Sequence, residues 1–251
     1  MAVLIANIGT SDLAIKIGKY FFPIGFDRNE PSLDYTGLTD DEKKVWNNRE
    51  ALIAQEFCPK IGVQAKILES GKYLISFREL TQKILEFYKN YQGNYQDLDT
   101  TICPIRIFGV IKKAYDEFGV RSGYIFITAQ KPEHHQDTVY LFEILQQWLK
   151  NNLPDFQLNS ILIPISLKPI DQDALLNYYY EFFSHLRQQI NENEEILVSS
   201  KGGTPQMQNA LMLQATALGI PRLLFIDPDP RFLIKRVLTG QPPECNLKSY
   251  W

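Results

Sequence analysis

The chain has 251 residues, of which 45% are hydrophobic and 22% are charged. This length and composition predict one large globular domain, or one domain with an appendage. A general nucleic-acid binder is usually basic, whereas this chain has a formal net charge of −3. The charge balance therefore favours a local basic pocket, or no anionic partner at all, over binding to long nucleic acids.

The cysteines and the hydropathy pattern predict where the protein works. The three cysteines, Cys58, Cys103 and Cys245, are far apart and show no metal-ligand spacing, which favours a reduced interior. The amino terminus has no basic region before its apolar run, and no apolar stretch reaches the ~18 residues that a membrane helix needs. We therefore expect a cytoplasmic protein with no membrane partner.

The first half of the chain predicts one strand, a β-hairpin, a loop and three helices. In chain order they are a strand Val3–Ile8, a hairpin Leu13–Phe22 that turns at Gly18-Lys19, a loop Phe26–Gly37, and helices Thr39–Phe57, Ser76–Tyr91 and Ile105–Phe118. The first strand shows little polar alternation, so we expect both of its faces to be covered.

From Gly123 onward strands alternate with helices. The expected elements are the strand Gly123–Ala129, a helix that Asp137 caps and that runs through Leu149, the strand Ile161–Ile165, the helix Asp171–Ile190, the strand Ile196–Val198, the helix Pro205–Leu218 and the strand Leu223–Ile226. This alternation predicts parallel strands joined by right-handed crossovers. We expect a Rossmann-like α/β fold, with a mostly parallel sheet, helices on both faces and a small hairpin after the first strand.

One domain boundary follows from this pattern. Residues 1–230 are expected to form one domain and residues 231–251 a tail or linker, of which Leu238–Trp251 has a loop-like sequence. The tail is too short for a further domain. Either the domain stands alone, or it is the sensor part of a longer protein.

Two glycine-bearing turns follow predicted buried strands near the two ends of the chain. The first turn is Asn7–Asp12 (NIGTSD), and the second turn is Ser199–Met207 (SSKGGTPQM). Turns of this kind lie at the carboxyl ends of parallel strands, where ligands bind. Small residues let a ligand approach the backbone, and the free N–H groups at a helix start favour anions. Side by side, the two turns would form a floor that binds phosphate.

The second turn predicts a well-defined helix start. Thr204 is a good N-cap, Pro205 suits the first helical position, and Gly219 ends the helix. Lys201 lies beside this amino end, where the helix dipole disfavours a cation unless an anion is bound. The alternative is a lysine that extends into solvent, but the Gly202-Gly203 pair favours a ligand.

The second turn matches neither familiar nucleotide loop. A Walker loop has its lysine after the glycines, whereas here Lys201 precedes them, and no Gly-x-Gly-x-x-Gly fingerprint is present. ATP hydrolysis and NAD chemistry are therefore poorly supported, and no cofactor is predicted.

Together the motifs Ile5–Asp12 and Lys201–Met207 resemble those of the CARF family, the CRISPR-associated Rossmann-fold domains. The order of predicted elements fits this family from Met1 to about Asp227. The resemblance implies a homodimer with a pocket on its two-fold axis for cyclic oligoadenylate, most simply cyclic tetra-adenylate. That ring is the second messenger of type III CRISPR antiviral defence. An even-numbered ring suits an isologous dimer, because each protomer can hold half of it.

The resemblance also implies two possible activities. In the family's ring nucleases, a serine of the first motif and a lysine of the second cleave the ring without a metal, and Ser11 and Lys201 stand at these places. In its sensors the same residues would only bind the ring and pass a signal to an effector nuclease. A generic α/β nucleotide-binding protein remains a third possibility.

The remaining candidates are ligand-binding residues. They are Asn7, Gly9, Thr10 and Asp12 of the first turn, Gly202, Gly203, Thr204, Gln206 and Met207 of the second, and Gln130, His134 and Lys168 of loops at the same sheet edge. The adjacent His134 and His135 do not predict a metal site, because neighbouring loop residues rarely share one ion. His185 lies within a predicted helix and favours a structural role. The run Tyr178–Tyr180 on the same helix could stack on adenine, but its side chains point in several directions, which favours packing or a dimer face.

Overall fold

The computed structural model describes residues 2–25, 35, 37–90, 98–191, 193–220 and 222–248. The strands are β1 (Ala2–Asn7), β2 (Ala14–Ile17), β3 (Tyr20–Pro23), β4 (Lys66–Ile67), β5 (Tyr73–Leu74), β6 (Ile102–Cys103), β7 (Ser122–Ile127), β8 (Gln157–Leu162), β9 (Glu195–Ser199), β10 (Leu223–Pro228) and β11 (Cys245–Lys248). Most of the loop expected over Phe26–Gly37 lies outside the described residues, as does Tyr91.

The helices connect these strands. They are α1 (Asp40–Asn47), α2 (Arg49–Leu52), α3 (Phe77–Asn90), α4 (Leu98–Thr101), α5 (Ile105–Phe118), α6 (Val139–Asn152), α7 (Gln172–Gln189), α8 (Pro205–Ala217) and α9 (Pro230–Leu238). Short 3₁₀ segments cover Thr10–Asp12 and Cys58–Ile61, and Ile53–Phe57 is π-helical. In the part of the chain that the structure describes, no helix is long and apolar enough to cross a membrane.

The central sheet has the order β11–β10–β9–β1–β7–β8. Its pairs are parallel except for β10 with β11, which is antiparallel. The parallel arrangement predicted from the alternation after Gly123 is therefore confirmed, as is the hairpin of β2 and β3, but the strand expected over Ile161–Ile165 lies earlier, at Gln157–Leu162. The fold is α/β, with helices on both faces of a mostly parallel sheet.

Alternate residues of β1 point into two different cores. Leu4 and Ala6 are buried in one core, to which α3, α5 and α6 contribute. Val3 and Ile5 are buried in a second core, formed with α7 and α8 on the opposite face. This two-sided burial explains why the strand lacks polar alternation.

The helix expected over Thr39–Phe57 begins as predicted but does not continue unbroken. The Thr39 side chain accepts a hydrogen bond from the Glu42 N–H, and the Glu42 carboxylate accepts one from the Thr39 N–H, which forms a capping box. The helix then ends at Asn48, since asparagine competes for backbone hydrogen bonds and is a poor interior helix residue.

Two parts of the region expected as a tail or linker, residues 231–251, form regular structure. Residues 230–238 form α9, whose cap Asp229 accepts a hydrogen bond from the Arg231 N–H. Cys245–Lys248 then pair with β10 as an edge strand. The sequence of β11 alternates apolar and polar residues, but four residues are too few to predict a strand, so its pairing depends on the free edge of β10.

The sheet order places a topological switch at β1. From β1 the chain builds β7 and β8 on one side, and then crosses over to build β9 and β10 on the other. In open parallel sheets ligands bind outside the carboxyl ends of the strands at such a point. The first turn follows β1 and the second turn follows β9, so both lie at this switch.

Candidate functional site

The two turns are in direct backbone contact. A Cβ atom at Gly9 would lie 2.8 Å from the Gly203 nitrogen, and one at Gly202 would lie 2.2 Å from the Asn7 carbonyl oxygen. Gly202 and Gly203 also have φ angles of 105° and 72°, which L side chains rarely adopt. Glycine is therefore needed at the second turn both for its backbone conformation and for this close approach.

A buried ion pair supports the first turn. The Asp12 carboxylate accepts hydrogen bonds from Arg106 Nε and Nη2, each at 2.9 Å, and from the Gly9 N–H at 2.7 Å. The two side chains are 1% and 7% exposed, so the pair is shielded from solvent. Such a bidentate contact holds a carboxylate in a defined orientation. It fixes the first turn against the start of α5.

The second turn is held from two sides. Asp227, at the end of β10, accepts hydrogen bonds from the Ser200 N–H at 2.8 Å and the Ser200 hydroxyl at 2.6 Å. Thr204 caps α8 by accepting from the Met207 N–H, which confirms the predicted N-cap, and its hydroxyl donates to the Pro169 carbonyl. The amino end of α8 is thereby tied to the loop after β8.

A cleft of about 550 Å³ opens above the two turns. The predicted site residues that line it are Gly9, Thr10, Ser11, Gln130, His134, Lys168, Gly203, Thr204 and Met207. More than half of its lining residues are polar or charged, and apolar side chains such as Ile165, Leu167 and Ile170 add patches of hydrophobic surface.

Five predicted site residues lie outside the lining of this cleft. Asn7 and Asp12 are 1% exposed and make hydrogen bonds inside the protein, so the structure places them under the site. The backbone of Gly202 is buried against Asn7. Gln206 and the half-buried Lys201 belong to the second turn but not to the cleft wall.

The cleft offers donors and positive charge. The N–H groups of Thr10, Ser11 and Gly203 donate no hydrogen bond to any described residue. The Gly9 N–H, in contrast, donates to the Asp12 carboxylate. Lys131 and Lys168 line the cleft, and neither forms an ion pair with a described carboxylate. Arg106 and Glu133 also line the cleft, but the charge of Arg106 is paired with Asp12 and that of Glu133 with Arg78. The two lysines give the cleft a local positive charge in a chain of net charge −3, as one of the two interpretations of the composition predicts.

Asp137 does not cap α6 as expected. The N-cap position belongs to Thr138, while the fully buried Asp137 carboxylate turns to the loop over residues 128–138. It accepts from the Gln130 N–H, from Gln130 Nε2 and from the His134 N–H. Arg78 of α3 donates to it from the other side at 3.2 Å. The carboxylate thus organises a loop that lines the cleft.

His134 lines the cleft, whereas His185 lies on α7 and takes a position that favours a structural role. The rings of His134 and His135 lie 4.3 Å apart, and partial burial, reinforced by His134, lowers the pKa of His135. His185 is exposed on α7 and bonds to its own helix through the Glu181 carbonyl. Within the described ranges no group of three or more His, Cys, Asp or Glu is arranged to hold a metal ion.

The tyrosine run on α7 points in several directions. Tyr179 is fully buried and donates to Asn7 Oδ1 at 2.7 Å, which joins α7 to the end of β1. Burial raises the pKa of Tyr179 well above its usual value. Tyr178 donates to the Leu162 carbonyl, whereas Tyr180 is 52% exposed. The packing role expected for this run is confirmed for Tyr179.

Sequence reasoning missed two arginines of the site. Arg106 lies in the apolar segment Ile105–Ile111, where a single charged residue was a signal that a buried partner exists. Arg78 lies on α3 and had no comparable signal, because a charged residue near a helix start is usually solvated. Both contact carboxylates that are distant in sequence, at 94 and 59 residues' separation.

Comparisons with known proteins leave the family open. No family model matches the chain, and no curated protein matches it. Among solved structures it is similar to Enterococcus italicus Csm6 bound to cyclic hexa-2′-fluoro-hexa-dAMP, with 15% identity and a TM-score of 0.39. That match covers 56% of this chain and 37% of the other. The α/β fold class follows from the order and direction of the strands.

Proposed function

We propose that this chain binds a cyclic oligoadenylate, most simply cyclic tetra-adenylate, in the cleft above the two turns. The observation that carries the proposal is the backbone contact between Gly9 and Gly203. It brings the two motifs that resemble the CARF family into one site at the switch point of the sheet.

The chemistry of the cleft fits a nucleotide of this kind. The N–H groups of Thr10, Ser11 and Gly203, which have no acceptor among the described residues, and the amino end of α8 suit phosphate oxygens. Lys168 adds positive charge at the wall. Apolar side chains such as Ile165 offer surfaces for the faces of bases.

We propose that the ring binds between two protomers, which requires the chain to form a dimer. Leu162, Ile165 and Ile170 are 47%, 41% and 66% exposed, and the last two line the cleft. A second copy of the chain could cover these side chains and close the cleft around a symmetric ligand.

Cleavage is the further step that we propose for the bound ring. The 2′-OH of one adenylate would attack the adjacent phosphorus, and the bond to the 5′-oxygen would break. The proton leaves the 2′-oxygen and the 5′-oxygen gains one, giving linear products with a 2′,3′-cyclic phosphate. Ser11 would orient the reacting groups and Lys201 would stabilise the charge that develops on the phosphate.

A sensor that binds the ring without cleaving it is the second candidate. The observation that favours it is the position of Lys201, which is half-buried and outside the lining of the cleft. In this alternative the ring is held by the cleft residues, and Lys201 acts on affinity or on an effector partner.

The deciding experiment incubates the purified chain with radiolabelled cyclic tetra-adenylate in EDTA. The ring-nuclease proposal expects linear products from the wild type and at least a hundredfold slower cleavage by Ser11→Ala and Lys201→Ala. Lys150→Ala is the matched control, because Lys150 is an exposed lysine at the end of α6 and outside the cleft.

The other possible results of these assays distinguish the sensor from the ring nuclease and test the binding proposal itself. Tight binding without products supports the sensor. Unchanged affinity in Lys201→Glu would show that Lys201 does not contact the ligand. Absence of binding to any cyclic oligoadenylate would overturn the whole proposal and leave a generic nucleotide-binding protein. Sedimentation velocity with and without the ring tests the dimer.

A further inference from the structure

The Asp137 carboxylate determines which way the Gln130 amide points. Asp137 is 0% exposed, and its two oxygens accept from the Gln130 N–H at 3.0 Å and from Gln130 Nε2 at 3.1 Å. A carboxylate only accepts hydrogen bonds, so the amide group that faces it must be the nitrogen. The remaining polar atom of the side chain, Oε1, is therefore not the one bound to Asp137.

The rest of the network holds this arrangement in place. Arg78 donates to Asp137 Oδ2 at 3.2 Å and to Glu133 at 2.7 Å, and its own N–H donates to the His135 carbonyl. The Arg78 guanidinium also lies over the Tyr140 ring, 5.3 Å from its centroid. Gln130 lines the cleft, and the buried Asp137 carboxylate holds both its backbone N–H and its amide nitrogen, so the amide is already oriented.

Gln130 lies at a suitable distance from the phosphate floor to meet a base. It follows β7, which is separated from β9 by β1, so two strand spacings, about 10 Å, lie between it and the second turn. The next residue, Lys131, donates its N–H to the Ile165 carbonyl at 3.2 Å. This bond joins the backbone next to Gln130 to that of Ile165, and both residues line the cleft, where Ile165 offers an apolar surface for a planar base.

We propose that Gln130 Oε1 reads the exocyclic amine of adenine and that Asp137 is the positioning residue for this readout. The inference rests on the proposed function and names the group that selects the base. Adenine presents a donor at its 6-position, whereas hypoxanthine and guanine present an acceptor there. A pre-oriented acceptor bonds to the first and repels the others, and it cannot rotate to adapt while Asp137 holds its nitrogen.

The test compares the dissociation constants of cyclic tetra-adenylate and cyclic tetra-inosinate, which differ at the 6-position of each base. The wild type is expected to prefer the adenylate about tenfold or more, and Gln130→Ala to bring the ratio close to one. Gln136→Ala is the matched control, because Gln136 is an exposed glutamine of the same loop that also lines the cleft and makes no bond to Asp137. It should keep the preference.

Asp137→Asn tests the positioning role. An asparagine can donate as well as accept, so the Gln130 amide is no longer restricted to one orientation and the preference should fall while Gln130 is intact. A wild type that binds both rings equally, or a Gln130→Ala variant that keeps the full preference, overturns this inference and leaves the proposed function standing. Absence of binding to either ring overturns both.

Discussion

Gly9 and Gly203 lie backbone against backbone, close enough that a Cβ atom at position 9 would be 2.8 Å from the Gly203 nitrogen. The first residue follows the central strand β1, and the second follows its neighbour β9. Parallel strands end at the same edge of a sheet, so their turns meet although they stand near opposite ends of the chain. This contact defines the floor of the cleft.

Gly202→Ala is expected to destabilise the fold strongly. A Cβ atom there would lie 2.2 Å from the Asn7 carbonyl oxygen, and the φ angle of 105° adds backbone strain. We expect a loss of about 3 kcal/mol or more in the free energy of unfolding, measured by urea denaturation. Gly119→Ala is the control, since its φ is also positive but nothing lies within 4 Å, and it should cost about 1 kcal/mol. Equal losses would contradict the steric argument.

Arg106→Leu is expected to lower the free energy of unfolding by about 3–5 kcal/mol, because it leaves the Asp12 carboxylate buried without its charged partner. Adding Asp12→Leu to this variant should recover part of the loss, since no uncompensated charge then remains. The measurement is a double-mutant cycle by urea denaturation. Additive losses would show that the ion pair does not couple the first turn to α5.

Tyr179→Phe removes the hydrogen bond to Asn7 Oδ1 and leaves that buried oxygen without a donor. The expected loss is about 1–3 kcal/mol of the free energy of unfolding. Tyr178→Phe serves for comparison, because the Tyr178 hydroxyl bonds to the Leu162 carbonyl in a more exposed place and should cost less. The two variants are measured side by side by thermal unfolding, and the reverse order would argue against the proposed link between α7 and β1.

Stability is expected to fall in alkaline solution through two buried thiols. Burial raises the pKa of Cys58 to about 11 and that of Cys245 to about 12, from a usual value of 9.0. Because the folded pKa values lie above the unfolded ones, this contribution to stability is complete below pH 9 and is lost as the pH rises toward 12.

The control for this prediction is Cys58→Ala/Cys245→Ala, whose free energy of unfolding should depend less steeply on pH in this range. Tyrosines and lysines titrate in both proteins, so the difference between the two curves isolates the thiols. Parallel curves would mean that the thiols do not take part. Both cysteines should also resist alkylation at pH 8 until the chain unfolds.

Most of the helices and strands were predicted from short-range patterns in the sequence. The bounds of α5 were predicted from Ile105 to Phe118, and the structure has the same bounds, with Gly119 in the left-handed conformation at its end. Thr204 and Thr39 cap their helices as expected. These features depend on neighbours within four residues, so they can be read from sequence.

Features that depend on distant partners could not be predicted in this way. Asp137 looked like a helix cap, but its carboxylate is used by Gln130 and Arg78 instead. Residues 245–248 looked like a loop, but the free edge of β10 makes them a strand.

The amino-acid sequence by itself determined the α/β class, the parallel strands and the two turns at their ends, because periodicity and glycine placement act over short stretches of chain. Only the tertiary structure decided which side chains reach the cleft. It placed Ser11 in the wall, Lys201 outside it and Arg106 beneath the first turn. The reason is that the direction of a side chain at a sheet edge depends on contacts between elements far apart in sequence.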